Sequence, residues 1–264
     1  MLRKRIIFTL IYSDGYFMQS RNFRLQRVGD IRWLEKNYQF QKIAFSLDEL
    51  VILNASRKEK NMMQFAQIVQ QLSHQVFIPV AAGGGIRSLQ DAEILFHHGA
   101  DKIVLNTTLH EDPGLVKAFI NKYGSQSVLA SIDYKKQNDV RIVYIRDGSV
   151  PIDIELNDYL MRVAQLNVGE IYLNAMDQDG TGFGYDIETI TCVQKQVVLP
   201  LIIAGGAGNE KHLLEGLSMS HVSAVATANL FNFIGDGLPV ARKKILEAGA
   251  NLAPREDKVT EGVF

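Results

Sequence analysis

The sequence predicts an α/β fold of one particular kind, a closed (β/α)8 TIM barrel. Three observations carry this. Short apolar runs alternate with longer amphipathic ones eight times along the chain, the pattern of parallel strands joined by crossover helices. The second half repeats the first: Ile78-Pro79-Val80-Ala81-Ala82-Gly83-Gly84-Gly85 recurs as Leu199-Pro200-Leu201-Ile202-Ile203-Ala204-Gly205-Gly206, and Glu49-Leu50-Val51-Ile52-Leu53-Asn54-Ala55 as Glu170-Ile171-Tyr172-Leu173-Asn174-Ala175. Eight such units in 264 residues fit a closed barrel better than an open doubly wound sheet. A single domain over 1–264 is expected, built from half-barrels of about 1–123 and 124–250 about a pseudo-twofold axis.

Taken in order, the first strand is 5–12, where Ile6-Ile7-Phe8-Thr9-Leu10-Ile11 is an apolar run of strand length. Residues 13–29, with Gly15, Arg21, Arg24, Arg27 and Gly29, read as a long loop before a helix over 30–41. Strand 49–54 leads to helix 59–73, strand 77–82 to helix 88–99, and strand 102–106 to helix 112–122. In the second half, strand 127–133 ends in Asp133, and a small hairpin near 140–152 turns at Arg146-Asp147-Gly148 before helix 155–166. Strands 170–175, 200–204 and 222–228 alternate with helices 187–196, 209–218 and 238–249, and the polar tail after Pro254 reads as frayed. Both insertions follow strands. They therefore lie on the C-terminal face, where barrel active sites sit.

Composition excludes several classes. The chain is 47% hydrophobic and 22% charged with a net charge of −1, so bulk electrostatics give no reason to expect nucleic acid or an anionic membrane as partner. No apolar run approaches the ~20 residues that span a bilayer. Cys192 is the only cysteine, which rules out an internal disulfide framework and suits a reducing cytosol. The apolar run after Met1-Leu2-Arg3-Lys4-Arg5 reaches Ser13-Asp14-Gly15 without a small-residue cleavage site, so a cytoplasmic protein is expected. His74, His97, His98, His110, His212 and His221 lack ligand spacing. No Ser-His-Asp arrangement is evident, and neither metal nor organic cofactor is implied.

The candidate chemistry lies at strand ends. Asp133 closes the fifth barrel strand, whereas the matching first strand, 122 residues earlier, ends in Ile11. A pair of facing carboxylates would serve general acid–base chemistry, and this chain has one carboxylate and one isoleucine. Gly83-Gly84-Gly85 and Gly205-Gly206 each follow a strand and precede a helix, so bare backbone N–H groups can approach an anion there. With Asn106 and Thr107 on one side, and Thr227 and Asn229 on the other, they form two candidate phosphate cradles for a phosphorylated small molecule. Asp179 and Thr181, in the loop Asp177-Gln178-Asp179-Gly180-Thr181-Gly182, are candidates for binding substrate hydroxyls or for acid–base steps. At the opposite strand ends, Arg5, Glu49, Lys102 and Glu170 supply two cations and two anions. Read without other information, they are a structural ion-pair ring closing the barrel bottom. Lys102 begins its strand, the wrong end for a Schiff-base lysine.

Together these features resemble the cyclase subunit of imidazole glycerol phosphate synthase, the HisF family. The resemblance runs through Met1-Leu2-Arg3-Lys4-Arg5-Ile6-Ile7, Asp48-Glu49-Leu50-Val51, Gly83-Gly84-Gly85-Ile86, Ala100-Asp101-Lys102, Asn106-Thr107, Gly124-Ser125-Gln126, Ile132-Asp133, Asp177-Gln178-Asp179-Gly180-Thr181, Gly184-Tyr185-Asp186 and Gly205-Gly206-Ala207-Gly208. It implies a glutaminase partner at the N-terminal barrel face, whose ammonia crosses the barrel to a ribulosyl bisphosphate held by the two cradles. It also makes Arg5, Glu49, Lys102 and Glu170 the ammonia gate. The family's two catalytic aspartates fall on Asp133 and on Ile11, a family lysine falls on Gln19, and an aspartate ending the second strand falls on Asn54. The gate is kept while the cyclase machinery is altered. The resemblance therefore points to a divergent paralogue of the surface-polysaccharide type, supplying ammonia with a glutaminase to a third, sugar-modifying amidotransferase protein that makes an acetamidino sugar. The alternatives are a true cyclase, with Asp14 or Asp179 replacing the lost aspartate, and a non-catalytic docking scaffold.

Overall fold

In the computed structural model, which describes residues 3–38, 43–57, 60–138, 140–193, 197–229 and 231–253, twelve strands form one sheet. They are β1 (Arg5–Ser13), β2 (Tyr16–Arg21), β3 (Arg24–Gly29), β4 (Glu49–Asn54), β5 (Val80–Gly83), β6 (Lys102–Leu105), β7 (Val128–Gln137), β8 (Val140–Ile145), β9 (Val150–Glu155), β10 (Glu170–Ala175), β11 (Leu201–Ala204) and β12 (Val222–Thr227). Eight of them, in the order β10-β11-β12-β1-β4-β5-β6-β7, pair in parallel, and β10 pairs with β7 to close the barrel. The predicted (β/α)8 barrel is the fold. The described helices are α1 (Ile31–Tyr38), α2 (Met62–Ser73), α3 (Leu89–His97), the short α4 (Thr107–Glu111), α5 (Pro113–Tyr123), α6 (Leu156–Ala164), α7 (Ile187–Val193), α8 (Glu210–Ser218) and α9 (Gly237–Glu247). None is long and apolar enough to cross a membrane.

The strands are apolar because most are covered on both faces. Outward residues such as Phe8, Leu10, Leu50, Ile52, Ile103 and Ile132 pack with the helices in one large core. Inward residues form a second, smaller cluster inside the barrel: Ile7, Val51, Ala81, Val104, Leu129, Tyr172, Ile202, Ala204, Ala224 and Ala226. Period-2 alternation places Arg5, Ile7, Thr9 and Ile11 along one inward line of β1, spanning roughly 20 Å at ~3.3 Å per residue. The bottom ring and the mouth are therefore the two ends of one barrel interior, with that cluster between them.

Several boundaries differ from the sequence reading, for identifiable reasons. The strand expected over 77–82 starts only at Val80, because Pro79 cannot donate to a ladder and Phe77 is 93% exposed. The strand expected from 200 likewise starts at Leu201, after Pro200. Helix α2 starts at Met62, where the Asn61 side chain accepts from Gln64 N at 2.9 Å. Residues 39–42, 58–59 and 194–196, and the tail from 254, lie outside the described residues.

The largest difference is at 13–29, which is not a loop. β1 turns back through β2 and β3 as an antiparallel meander. Its first turn is Asp14-Gly15 (φ +49° and +91°) and its second Asn22-Phe23 (φ +50° and +60°), with positive φ at both central residues as two-residue hairpins require. Phe17 anchors the meander, buried against Tyr12 with ring centroids 6.0 Å apart. The second hairpin, β8–β9, matches the expectation and carries Arg146, Asp147 and Gly148 at positive φ.

Candidate active site

The C-terminal mouth has two unlike walls. In the closed order, β1 and β7 lie four strands apart in either direction, so Ile11 and Asp133 face each other across the barrel. Register sets a neighbour beside each: Ile11 pairs with Leu53 of β4, and Asp133 with Asn174 of β10. One wall is apolar and the other is polar.

Asp133 is only 8% exposed. One carboxylate oxygen accepts from Asn174 Nδ2 at 2.9 Å, and the other from Asn106 Nδ2 at 3.2 Å. Burial pushes its pKa up to about 7 against the hydrogen bond from Asn174, with further upward pressure from the charges of Asp179 and Asp147. A carboxyl that shares its proton near neutral pH is suited to giving and taking protons there.

Two cavities open at this mouth. The larger, of about 940 Å³, is lined by Ile11, Leu53, Asp133, Asn174 and Asp179, and by the first cradle, Gly84, Gly85, Asn106 and Thr107. The smaller, of about 50 Å³, is lined by the second cradle, Gly205, Gly206, Thr227 and Asn229, and reaches down the lumen to Thr9 and Tyr172, whose hydroxyls are 2.9 Å apart. All eight predicted cradle residues thus border a cavity. The glycines are required: Gly84 has φ +105° and a Cβ there would sit 2.2 Å from Asn54 O, while Gly205 has φ +88° and would meet Ala175 O at 2.4 Å. The two obstacles occupy matching places in the repeat.

Asp179 lines both cavities and has a second task. It is 7% exposed, accepts from Ser20 Oγ and, at 3.0 Å, from Phe23 N, and burial raises its pKa against those two bonds. A bulky residue at positive φ stores strain, of order 1–3 kcal/mol, and this carboxylate helps hold Phe23 there. The Phe23 ring in turn lies against Gly148 of the second hairpin, where a Cβ would come within 2.5 Å of it. The two hairpins therefore meet above the larger cavity. Asp14 is exposed in the first turn and lines neither cavity. Thr181 closes its own turn, its hydroxyl donating to Gln178 O at 2.8 Å. Asn54 is buried, with its side-chain oxygen accepting from Ser56 N at 3.1 Å.

At the other end the four predicted charges form a closed ring. Arg5 reaches Glu49 and Glu170 at 2.8 Å each, and Lys102 reaches Glu49 at 2.9 Å and Glu170 at 3.3 Å. Glu49 is the most enclosed, with its side chain 2% exposed. Burial raises its pKa and the two cations oppose that rise.

Sequence reasoning missed Arg57, Lys60, Arg87 and Arg146, which also line the larger cavity. They sit in loops with no periodicity to mark them, and their only available signal was position just after a barrel strand or in a hairpin turn. It also missed Asn174, whose service to Asp133 arises from register alone. Among the described residues, no group of three or more His, Cys, Asp or Glu could hold a metal ion.

A closed (β/α)8 barrel with paired glycine turns at its mouth and one proton-sharing carboxylate above a charged floor defines the class, and the comparisons define the family. The chain belongs to the histidine biosynthesis protein family, which matches residues 5–235. Among its relatives, a protein of Parasynechococcus marenigrum (strain WH8102), provisionally described as imidazole glycerol phosphate synthase subunit hisF2, is 44% identical over 92% of this chain and 91% of its own. The imidazole glycerol phosphate synthase subunits HisF of Chlorobaculum parvum and Chlorobium phaeovibrioides are 37% and 36% identical over 94% of this chain and 98% of theirs. The chain is thus similar to the HisF cyclase subunit over almost its whole length.

Proposed function

We propose that this chain is the HisF-like, ammonia-delivering subunit of a glutamine-dependent amidotransferase. In this reading a glutaminase docks on the N-terminal barrel face. Its ammonia passes the ring of Arg5, Glu49, Lys102 and Glu170, ascends the lumen, and leaves beside Asp133. The acceptor is an acetamido sugar handled by a third, sugar-modifying protein, and the product an acetamidino sugar for a surface polysaccharide. The setting is the cytoplasm.

One observation carries this reading: Asp133 faces Ile11, not a second carboxylate, above an intact charged ring. An isoleucine neither transfers a proton nor stabilises developing charge, and loss of one member of an acid–base pair removes ~10²–10⁴ in rate. A ring kept only for stability could be replaced by apolar side chains, since enclosing four charges carries a desolvation cost. The small residues Ala204 and Ala226, beside the Thr9–Tyr172 pair, leave room in the lumen above it. A second reading, the cyclase itself, draws on Asp179, which borders the larger cavity with Asp133.

The test is a pair of assays on the purified chain. With the ribulosyl bisphosphate substrate and saturating ammonium, no aminoimidazole product is expected. With a glutaminase partner, complex formation and stimulated glutamate release are expected. Cyclisation at ~1 s⁻¹ or faster, an ordinary enzyme rate, would establish the cyclase reading instead. A chain that neither cyclises nor binds a glutaminase would remove both.

A further inference from the structure

Between floor and mouth, one pair of polar side chains crosses the barrel interior. Period-2 alternation places Glu170, Tyr172 and Asn174 on the inward line of β10. Glu170 belongs to the floor ring and Asn174 stands at the mouth beside Asp133. Tyr172 lies between them, 4% exposed, packed in the inner cluster with Ile7, Val51, Leu129 and Ile202. Its hydroxyl meets Thr9 Oγ1 at 2.9 Å. β10 and β1 are not neighbours, since β11 and β12 lie between them. The bond is therefore a chord across the interior and not a rung of the sheet. Ala204 of β11 and Ala226 of β12 border the small cavity beside this pair, and side chains that short leave the ring its room. Neither cavity at the mouth is lined by any of the four floor charges. The phenol ring and the apolar layer stand between.

The chemistry of the pair matches a small neutral amine. The layer of Ile7, Val51, Leu129 and Ile202 is apolar, so an ammonium ion there would lose its hydration with no partner. Uncharged ammonia avoids that cost. It accepts one hydrogen bond and donates others, so it can accept from the phenol and donate to Thr9 Oγ1. A molecule that breaks the Thr9–Tyr172 bond in this way replaces it with two. Burial, opposed by the bond with Thr9, holds the Tyr172 hydroxyl well above the ordinary tyrosine range. It therefore keeps its proton and remains a donor wherever ammonia is uncharged. By register Tyr172 pairs with Ser131 of β7, which lines the larger cavity two residues before Asp133. Ser131 is the next hydroxyl on the way to that carboxyl.

We infer that Tyr172 is an inner gate of this barrel: tied to Thr9 it closes the interior, and uncharged ammonia passes by taking its place as the hydrogen-bond partner of Thr9. This rests on the reading of the chain as an ammonia-delivering subunit. The gate selects by size and by charge, because a larger amine does not fit between the ring and Thr9 and an ion does not cross the apolar layer beneath.

The experiment is an NMR titration of the full chain, with labelled threonine methyls and tyrosine rings, against ammonium chloride. Potassium chloride at matched ionic strength is the control, and the titration is run below and above the pKa of ammonium. The Thr9 methyl and the Tyr172 ring are expected to shift saturably above that pKa and not below it. Methylamine, one methyl larger and compared at equal free-base concentration, is expected to act ~tenfold more weakly. Tyr172→Phe keeps the ring and removes the hydroxyl, and is expected to weaken the ammonia response of Thr9 about fivefold. Tyr172→Ala removes the barrier, so methylamine is expected to match ammonia at Thr9, a change in size selection that a purely structural tyrosine would not produce. Signals that ignore ammonia, a parent chain that admits methylamine equally, an unchanged response in Tyr172→Phe, or a folded Tyr172→Ala chain that still excludes methylamine would each overturn the inference. Those outcomes leave the delivery of ammonia standing. Glutaminase binding and stimulated glutamate release read that separately, and their failure would remove the conduit together with its gate.

Discussion

The apolar wall, Ile11 beside Leu53, and the polar wall, Asp133 beside Asn174, occupy opposite sides of one mouth and matching places in a twofold repeat. At the barrel floor the bias reverses: the first half supplies Arg5, Glu49 and Lys102, and the second supplies only Glu170. Outward residues cannot diverge in this way, because Leu10 and Ile132 alike are fully buried against the helices. Only inward residues at the two ends of the strands escape the packing constraint. The comparison teaches that a barrel can present unlike side chains on its two walls while its scaffold stays symmetric.

The largest predicted effect comes from making the walls alike. Ile11→Asp places a carboxylate facing Asp133, and ammonia-dependent cyclisation of the ribulosyl bisphosphate is expected to rise by ~10²-fold or more over the parent chain. Single-turnover detection of the aminoimidazole product measures it. An unchanged rate in a folded variant would mean that the wall difference does not limit cyclisation.

Next is the effect of removing the polar wall's charge. Asp133 titrates near 7 in the fold, against an ordinary value of 3.8. The folded state therefore holds a proton that the unfolded chain has lost, and stability falls as pH rises from about 4 to 7. The accumulated loss is roughly 4 kcal/mol. Asp133→Asn has no such loss, so its stability relative to the parent is expected to improve by up to that amount between pH 4 and pH 8. Denaturant melts across this range read it, and a constant difference would show that burial does not set the Asp133 proton.

The floor gives the third test. Glu49 is 2% exposed at its side chain and Glu170 is 18% exposed, and both bridge Arg5 and Lys102. Removing one partner of an enclosed pair strands the other charges, so Glu49→Gln is expected to cost about 3 kcal/mol. Glu170→Gln, with more water to screen it, is expected to cost about 1 kcal/mol. Thermal melts rank the two, and the reverse order would move the weight of the ring to the second half.

Much of this was legible in advance, for reasons that differ by residue. The barrel strands announce themselves because two-sided burial demands unbroken apolar runs, and the ring because charged residues at strand starts interrupt them. The opposition of Asp133 to Ile11 follows from a repeat spacing. The β2–β3 meander was missed because β3 has only Leu25 and Val28, three residues apart and so without strand alternation, among Arg, Gln and Gly, although Asp14-Gly15 is strong hairpin-turn chemistry. Asp179 is legible as an acid–base candidate, but its bonds to Ser20 and Phe23 are not, since only the fold brings those residues to it. No local pattern marks Arg57 or Arg87, since loop residues are aimed by the elements they join.

The smallest predicted effect is also the most direct probe of the polar wall. Asn174→Leu gives β10 the residue type that Leu53 gives β4. The hydrogen bond from Asn174 favours the ionised form of Asp133 and opposes the upward push of burial. Its loss, with a leucine adding apolar surface beside the carboxyl, is expected to raise the Asp133 pKa by up to about one unit, the size of one charge-assisted hydrogen bond. A carbon-detected NMR titration of the Asp133 carboxyl reads the midpoint, and Asn106 still donates at 3.2 Å to keep the side chain in place. A midpoint that stays put would assign the tuning to Asn106, which follows β6 and is itself part of the first cradle. Proton sharing at Asp133 would then be tied to occupancy of that cradle and not to the β7–β10 register.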